Sequence, residues 1–270
     1  MNAESKPQFL DRQTHQLAFH GLKGSGPTLV WLGGFRSDMD GTKALALEAF
    51  ARQRQQACLR FDYAGHGKST GAFTDGTISS WADDAQAMIN AKAAGEVVLI
   101  GSSMGGWIAL LLARDAALRA KQTNVPSPIK GLVLLAPAPD FTQTLMWPRF
   151  TEDQRQTILS TGQLSQPSPY DDEPTIITHA LIEDGKQNLV LDGTIETQCP
   201  VRIIQGVADP DVPHTHALKL FDALVGENVQ MTLIKDGDHR LSRPEDIEVL
   251  NRTLEALMHN IGTTAGGTLL

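Results

Sequence analysis

The stretch Glu96–Ala109, EVVLIGSSMGGWIA, constrains this chain more than any other. Val97–Ile100 is a short, β-branched apolar run, which suits a strand buried on both faces. It stops at Gly101, and Gly105-Gly106 then opens a second apolar run, Trp107 to Ala113, with the look of a buried helix. Between them lies Gly101-Ser102-Ser103-Met104-Gly105, a G-x-S-x-G pattern. Placed between a strand and a helix, that pattern forms a tight turn with a strained residue at its apex. The residues two before and two after must be nearly bare for strand and helix to approach. Ser103 is therefore the apex and a candidate nucleophile, and Ser102 belongs to the turn geometry. A Gly-Ser-Gly turn can also exist without any chemistry, so the case depends on finding a base, an acid and oxyanion donors elsewhere.

The surrounding chain alternates strands with helices. Strands are expected at His15–His20, Thr28–Leu32, Ala57–Tyr63, Lys130–Ala136, Val201–Gln205 and Val229–Ile234. Helices are expected at Thr42–Gln53, Ile78–Ala93, Thr215–Val225 and Pro244–Met258. This rhythm predicts an α/β fold with a mostly parallel central sheet and helices on both faces. Chemistry in such sheets collects beyond the carboxyl ends of the strands. The rhythm breaks between Pro137 and Asp192, a stretch richer in Pro, Gln and Thr that carries Trp147, Phe150 and Tyr170. It shows two helix-like segments, Thr151–Thr161 and Pro174–Asp184, and no clean strand before Pro200. So long a break between buried strands reads as an insertion, a helical cap, rather than a loop. The expected division is a core of residues 14–136 and 193–260, a cap over 137–192 and a disordered tail over 261–270.

A serine hydroxyl needs a base within hydrogen-bond reach, and the base needs an orienting carboxylate. In this motif class they follow in the order Ser, acid, His. The strand Val201–Gln205 runs into Gly206-Val207-Ala208-Asp209-Pro210-Asp211-Val212-Pro213. Asp209 is the favoured acid, three residues after the strand-ending glycine. Asp211 stays open as the alternative, although it also suits the start of the next helix. Of the eight histidines, only His239 both follows the acid and ends a strand. Two backbone N–H groups should face the oxyanion: Met104, which follows the serine, and Phe35 in the early loop Gly33-Gly34-Phe35.

These motifs, with Asp62-xx-Gly65-x-Gly67-x-Ser69, resemble the α/β-hydrolase superfamily from about Thr28 to Met258. Gly33 stands where many members have His. More narrowly, Gly41-Thr42-Lys43-Ala44-Leu45-Ala46, Arg60-Phe61-Asp62-Tyr63, Gly101–Trp107 and Asp238-His239-Arg240 look like the branch of α/β-hydrolase domain-containing protein ten. That resemblance implies palmitoyl-protein thioesterase or acyl-glucuronide esterase chemistry and similarity to bacterial relatives of the mitochondrial animal proteins.

The reading that follows is hydrolysis of carboxylic acyl esters or thioesters through an acyl-enzyme, with no metal or organic cofactor required. Phe141, Leu145, Met146, Trp147 and Phe150 are candidates for an acyl pocket, and Arg149 or Arg240 could meet an acidic substrate group. Amide or C–C bond hydrolysis on the same residues, or a small-molecule receptor with little turnover, are the alternatives. Net charge −8 without a basic stripe argues against nucleic acid. Cys58 and Cys199 form no metal-binding pattern and read as buried small hydrophobes. No signal peptide, transit peptide or membrane span is evident, which points to the cytoplasm. The expected partner is a small-molecule substrate, and the oligomeric state is left open.

Overall fold

The computed structural model describes residues 6–167 and 173–265, with side chains to Ile261. In chain order the elements are β1 (Gln8–Asp11), β2 (Gln16–Leu22), β3 (Ser25–Leu32), α1 (Thr42–Gln53), β4 (Gln56–Phe61), α2 (Ile78–Lys92), β5 (Val97–Ser102), α3 (Met104–Thr123) and β6 (Ile129–Leu135). There follow α4 (Glu152–Thr161), β7 (Gln163–Gln166), β8 (Thr175–Thr178), α5 (His179–Gln187), β9 (Ile195–Glu196), β10 (Val201–Gly206), α6 (His214–Ala223), β11 (Leu224–Val225), β12 (Val229–Ile234) and α7 (Pro244–Ala265).

Eight strands form one sheet in the order β1-β2-β4-β3-β5-β6-β10-β12. β2 runs antiparallel to both β1 and β4, and the other pairs are parallel. The continuous apolar runs are explained by two cores, one on each face. Alternate residues of a strand point to opposite faces. Val30, Leu32, Leu99, Leu132 and Ile203 pack with Trp81 of α2, Trp107 of α3 and Ala217 of α6. Leu29, Trp31, Val98, Ile100, Val133 and Ile204 pack with Leu47 and Phe50 of α1 and Leu250 and Leu254 of α7. Cys58 is buried in the second core as expected, whereas Cys199 is only half-buried and packs against the first; burial pushes their thiols up to about 12 and about 11. No helix among the described residues is long and apolar enough to cross a membrane.

Three departures from the sequence pattern concern polar or terminal segments. The stretch read as a helix from Pro174 is strand β8 first, and α5 starts only at His179. Thr175-Ile176-Ile177-Thr178 is β-branched throughout, which favours the strand. It pairs antiparallel with β7, burying Leu164 and Ile177, so the region between β6 and β10 is not strand-free. The Thr178 side chain then accepts from Leu181 N–H and caps α5. At the other end, α7 runs past Met258 to Ala265, because Ile261 continues the stripe of Leu250, Leu254 and Leu257 against the core. Residues 261–265 of the expected disordered tail are thus helical. Tyr170 and residues 266–270 lie outside the described residues.

Candidate active site

β5 is flanked by β3 and β6, so its carboxyl end lies at the middle of the sheet. Ser103 follows it directly, with φ 53° and ψ −117°, a conformation that costs a non-glycine residue roughly 1–3 kcal/mol. The packing around it explains how the strain is held. A Cβ on Gly101 would stand 2.4 Å from the Gly105 carbonyl oxygen, and one on Gly105 would stand 2.0 Å from that of Leu32. Strand and helix are in backbone contact across the turn, as the motif requires. Ser103 N–H donates to Leu135 O at 2.9 Å, and Ser103 O accepts from Gly106 and Ala138. Although Ser103 holds the N-cap position of α3, its side chain does not cap the helix.

Its hydroxyl faces a histidine instead. Ser103 Oγ lies 3.1 Å from His239 Nε2, and His239 Nδ1 lies 2.8 Å from Asp209 Oδ2. A carboxylate oxygen accepts, so Nδ1 carries the hydrogen and Nε2 presents its lone pair to the serine. The three side chains come from the loops after β5, β10 and β12.

Asp209 is held on every side. Its Oδ1 accepts from the Asp211 and Val212 N–H groups, each at 2.8 Å, and Gln205 Nε2 reaches its Oδ2 at 3.2 Å. Gln205 is fully buried and also donates to Gly206 O and Val212 O, both at 3.0 Å. Burial would raise the Asp209 pKa, but the hydrogen bond and charge of His239 and the two backbone N–H groups outweigh it and hold the carboxyl below its usual range. Of the two acids left open by the sequence, it is Asp209 that meets His239. The N-cap of α6 is Pro213, without a side-chain cap, so the expected helix-start role of Asp211 is not a capping one.

Asp209, Asp211 and His239 are also the one group among the described residues whose ligand atoms gather closely enough for a metal ion. Both ring nitrogens of His239 and both carboxylate oxygens of Asp209 are already engaged in the bonds above, so a metal would have to displace them.

The loop after β3 lies on the other flank. Gly34 packs beside the serine, its Cα side 3.4 Å from Ser103 Cβ at the position a Cβ would take. Phe35 follows, its ring 5.8 Å from that of Phe141. Met104, by contrast, buries its side chain completely in the core, leaving only its backbone near the turn.

A cavity of about 710 Å³ opens over Ser103 and His239. Phe35, Phe141, Leu145, Met146 and Phe150 line it, as do Ile177 and Val212. Trp147 does not line it. Its ring packs against Phe150 at 5.9 Å in a separate apolar cluster, with the Arg155 guanidinium 5.7 Å over its face. Arg36, Lys43, Arg149 and Arg240 also line the cavity. Arg149 donates to Asp211 O at 3.0 Å. Lys43 Nζ donates to Arg240 O, and burial brings its ammonium down to about 8 against the pull of Asp238 and Asp209.

Three participants escaped the sequence pattern. Ile177 sits in the segment read as helix. Gln205 carried a usable signal, as an uncharged polar residue inside an apolar strand. Lys43 lay in a motif that carried the family resemblance, but its place beside the distant Arg240 depends on the fold.

Residues 19–248 match the alpha/beta hydrolase family. Palmitoyl-protein thioesterase ABHD10, mitochondrial, of Homo sapiens is 32% identical over 257 residues, 94% of this chain and 81% of that protein. Among solved structures, one from Agrobacterium vitis S4 is 44% identical with a TM-score of 0.87, covering 94% of this chain and 98% of that one. Alpha/beta hydrolase domain-containing protein 10 from mouse is 30% identical with a TM-score of 0.83, over 95% and 100% of the two chains. With a mostly parallel sheet wound as described and a family match spanning residues 19–248, the chain belongs to the alpha/beta hydrolase family.

Proposed function

We propose that this protein is a serine hydrolase of carboxylic acyl esters or thioesters, with Ser103 as nucleophile, His239 as general base and Asp209 as the acid that orients it. One observation carries the reading: an unbroken relay from Ser103 Oγ through His239 to Asp209, at 3.1 and 2.8 Å, opening onto a cavity with an apolar wall.

In this mechanism Ser103 Oγ attacks the acyl carbonyl carbon as its proton passes to His239 Nε2. Asp209 holds the tautomer with hydrogen on Nδ1 and stabilises the imidazolium that forms. The tetrahedral oxyanion is met by the backbone N–H groups of Phe35 and Met104, the latter aided by the N-terminus of α3. Collapse breaks the bond to the leaving oxygen or sulfur, which takes the proton from His239. Water then attacks the acyl-serine, giving up a proton to the same nitrogen, and the second collapse returns that proton to Ser103. None of these steps calls for a metal or cofactor.

The acyl chain would lie along Phe141, Leu145, Met146 and Phe150. Amide and C–C bond cleavage would use the same atoms. The thioesterase names of the relatives favour acyl ester and thioester substrates, long-chain ones included.

Turnover of p-nitrophenyl acyl esters and matching acyl thioesters of rising chain length tests the reading. Hydrolysis that improves with chain length and disappears in Ser103→Ala is expected. Failure to turn over either series would leave a binding protein and overturn the proposal.

A further inference from the structure

The turn after β4 holds a buried histidine that no step above uses. His66 is 3% exposed and sits between Gly65 and Gly67, both at positive φ. The rings of Tyr63, Phe73 and Trp81 enclose it, with centroids 5.6, 5.1 and 5.1 Å away. Two backbone groups dictate its protonation. Nδ1 lies 3.2 Å from Ala64 O, which can only accept, so Nδ1 carries the hydrogen. The Arg36 N–H can only donate, and it reaches Nε2 at 3.2 Å, so Nε2 must offer a lone pair. Only the neutral Nδ1–H tautomer satisfies both partners. Burial, with a smaller push from the Arg36 charge, brings His66 down to about 4 and keeps it neutral at physiological pH.

The consequence lies in the residue it holds. Arg36 directly follows Phe35 and takes φ 58°, a left-handed conformation uncommon outside glycine. The Phe35 ring enters the same aromatic group, 5.0 Å from Phe73 and 5.9 Å from Trp81. The Phe35 Cα is therefore gripped through two of its substituents: its side chain and the peptide that follows it, whose N–H is that of Arg36.

We propose that His66 is a positioning residue for the reaction: its Nε2 lone pair holds the Arg36 amide, pins the peptide on the carboxyl side of Phe35 and so, together with the packed Phe35 ring, sets the direction in which the Phe35 N–H meets the oxyanion. His66 touches neither substrate nor reacting atoms. The inference rests on the reading of Phe35 as an oxyanion donor on a serine hydrolase.

His66→Met fills the aromatic enclosure without an acceptor of comparable strength, whereas His66→Gln retains one in Oε1. Both are compared with wild type and Ser103→Ala in kcat and KM for a p-nitrophenyl acyl ester. Affinity is also measured for an alkyl trifluoromethyl ketone, whose serine adduct carries the oxyanion, and for the product fatty acid, which does not. His66→Met should lose roughly 10- to 100-fold in kcat, less than removal of a donor itself, with KM within about twofold. Ketone affinity should fall in parallel, fatty-acid affinity should hold, and His66→Gln should recover most of the loss.

A folded His66→Met with wild-type kcat and ketone affinity overturns the inference, as does a His66→Gln no better than His66→Met. Residual full activity in Ser103→Ala would bring down the hydrolase reading instead, so the two failures are distinct. Should His66→Met not fold, nitrogen-15 NMR of wild type decides. An Nδ1–H tautomer with an Arg36 amide that exchanges more slowly once the ketone is bound supports the role. An Nε2–H tautomer, or an Arg36 amide indifferent to the ketone, contradicts it.

Discussion

The two parts of the chain that meet over Ser103 are built by different means. On the sheet side, backbone touches backbone: Gly105 leaves no room for a Cβ against Leu32, and Asp209 accepts from two main-chain N–H groups and Gln205. On the side between β6 and β10, the cavity is walled mainly by residues with large apolar side chains. Phe141, Leu145 and Met146 reach it from a single π-helical turn and its N-cap, and Phe150 from the end of a short 3₁₀ turn. That region has a small apolar cluster of its own, centred on Phe150, Ile158, Leu164, Ile177 and Ile182. Contacts between backbones leave little tolerance, whereas a side-chain wall can be trimmed or refilled. The chemistry should therefore break sharply under substitution, and the choice of acyl chain should drift.

Substitutions that challenge this contrast can be ranked by size. His239→Ala removes the proposed base and should lower kcat by on the order of 10⁴-fold or more with the fold intact by circular dichroism. A loss under about tenfold would mean that another group takes the Ser103 proton. Next comes Gly105→Ala, one methyl group on the sheet side. It should cost more than about 3 kcal/mol in urea unfolding, because the Cβ meets a carbonyl oxygen held by the neighbouring strand. A cost below about 1 kcal/mol would show the turn to be looser than drawn.

The third concerns pH. The folded-state pKa of His66 is depressed to about 4 from 6.5, so its stabilising effect is complete above pH 6.5 and is lost as pH falls through 4. Asp62, raised to about 6 by burial, titrates in the opposite sense over part of this range, so the wild-type curve alone mixes the two. The difference between wild type and His66→Gln isolates the histidine. That difference should shift against wild type by about 3 kcal/mol between pH 6.5 and 4. A constant difference across that window would mean that His66 is not held neutral.

The smallest effects belong to the side-chain wall. Phe141→Ala should change kcat/KM for long acyl esters by roughly 10-fold while leaving short ones within about twofold. Trp147→Ala, outside the cavity, should change neither by more than about twofold. Equal losses at every chain length in Phe141→Ala would tie this wall to the chemistry and erase the contrast.

The same contrast explains what could be read in the sequence. Gly101, Ser103 and Gly105 announce themselves because steric exclusion at a tight turn permits so few residue types. The strands before Ser103 and Asp209 stand out as apolar runs because the sheet is buried there on both faces, whereas His239 follows the edge strand β12, which is only partly covered. Trp147 is a cavity candidate in the sequence because it is an aromatic residue of the insertion, but an aromatic residue near a site packs a cluster as readily as it lines a pocket. The hairpin of β7 and β8 was hidden because its short polar-and-apolar segments fit either periodicity. Nothing in the sequence singles out His66, since its acceptor role depends on Arg36, thirty residues away.

The central claim is that the Ser103 hydroxyl is the group activated by this relay. Reaction with a fluorophosphonate, followed by peptide mapping, tests it most directly. The account predicts one covalent adduct, on Ser103, formed quickly in wild type, far more slowly in His239→Ala and not at all in Ser103→Ala. An adduct on another residue, or equal labelling of wild type and Ser103→Ala, would contradict it.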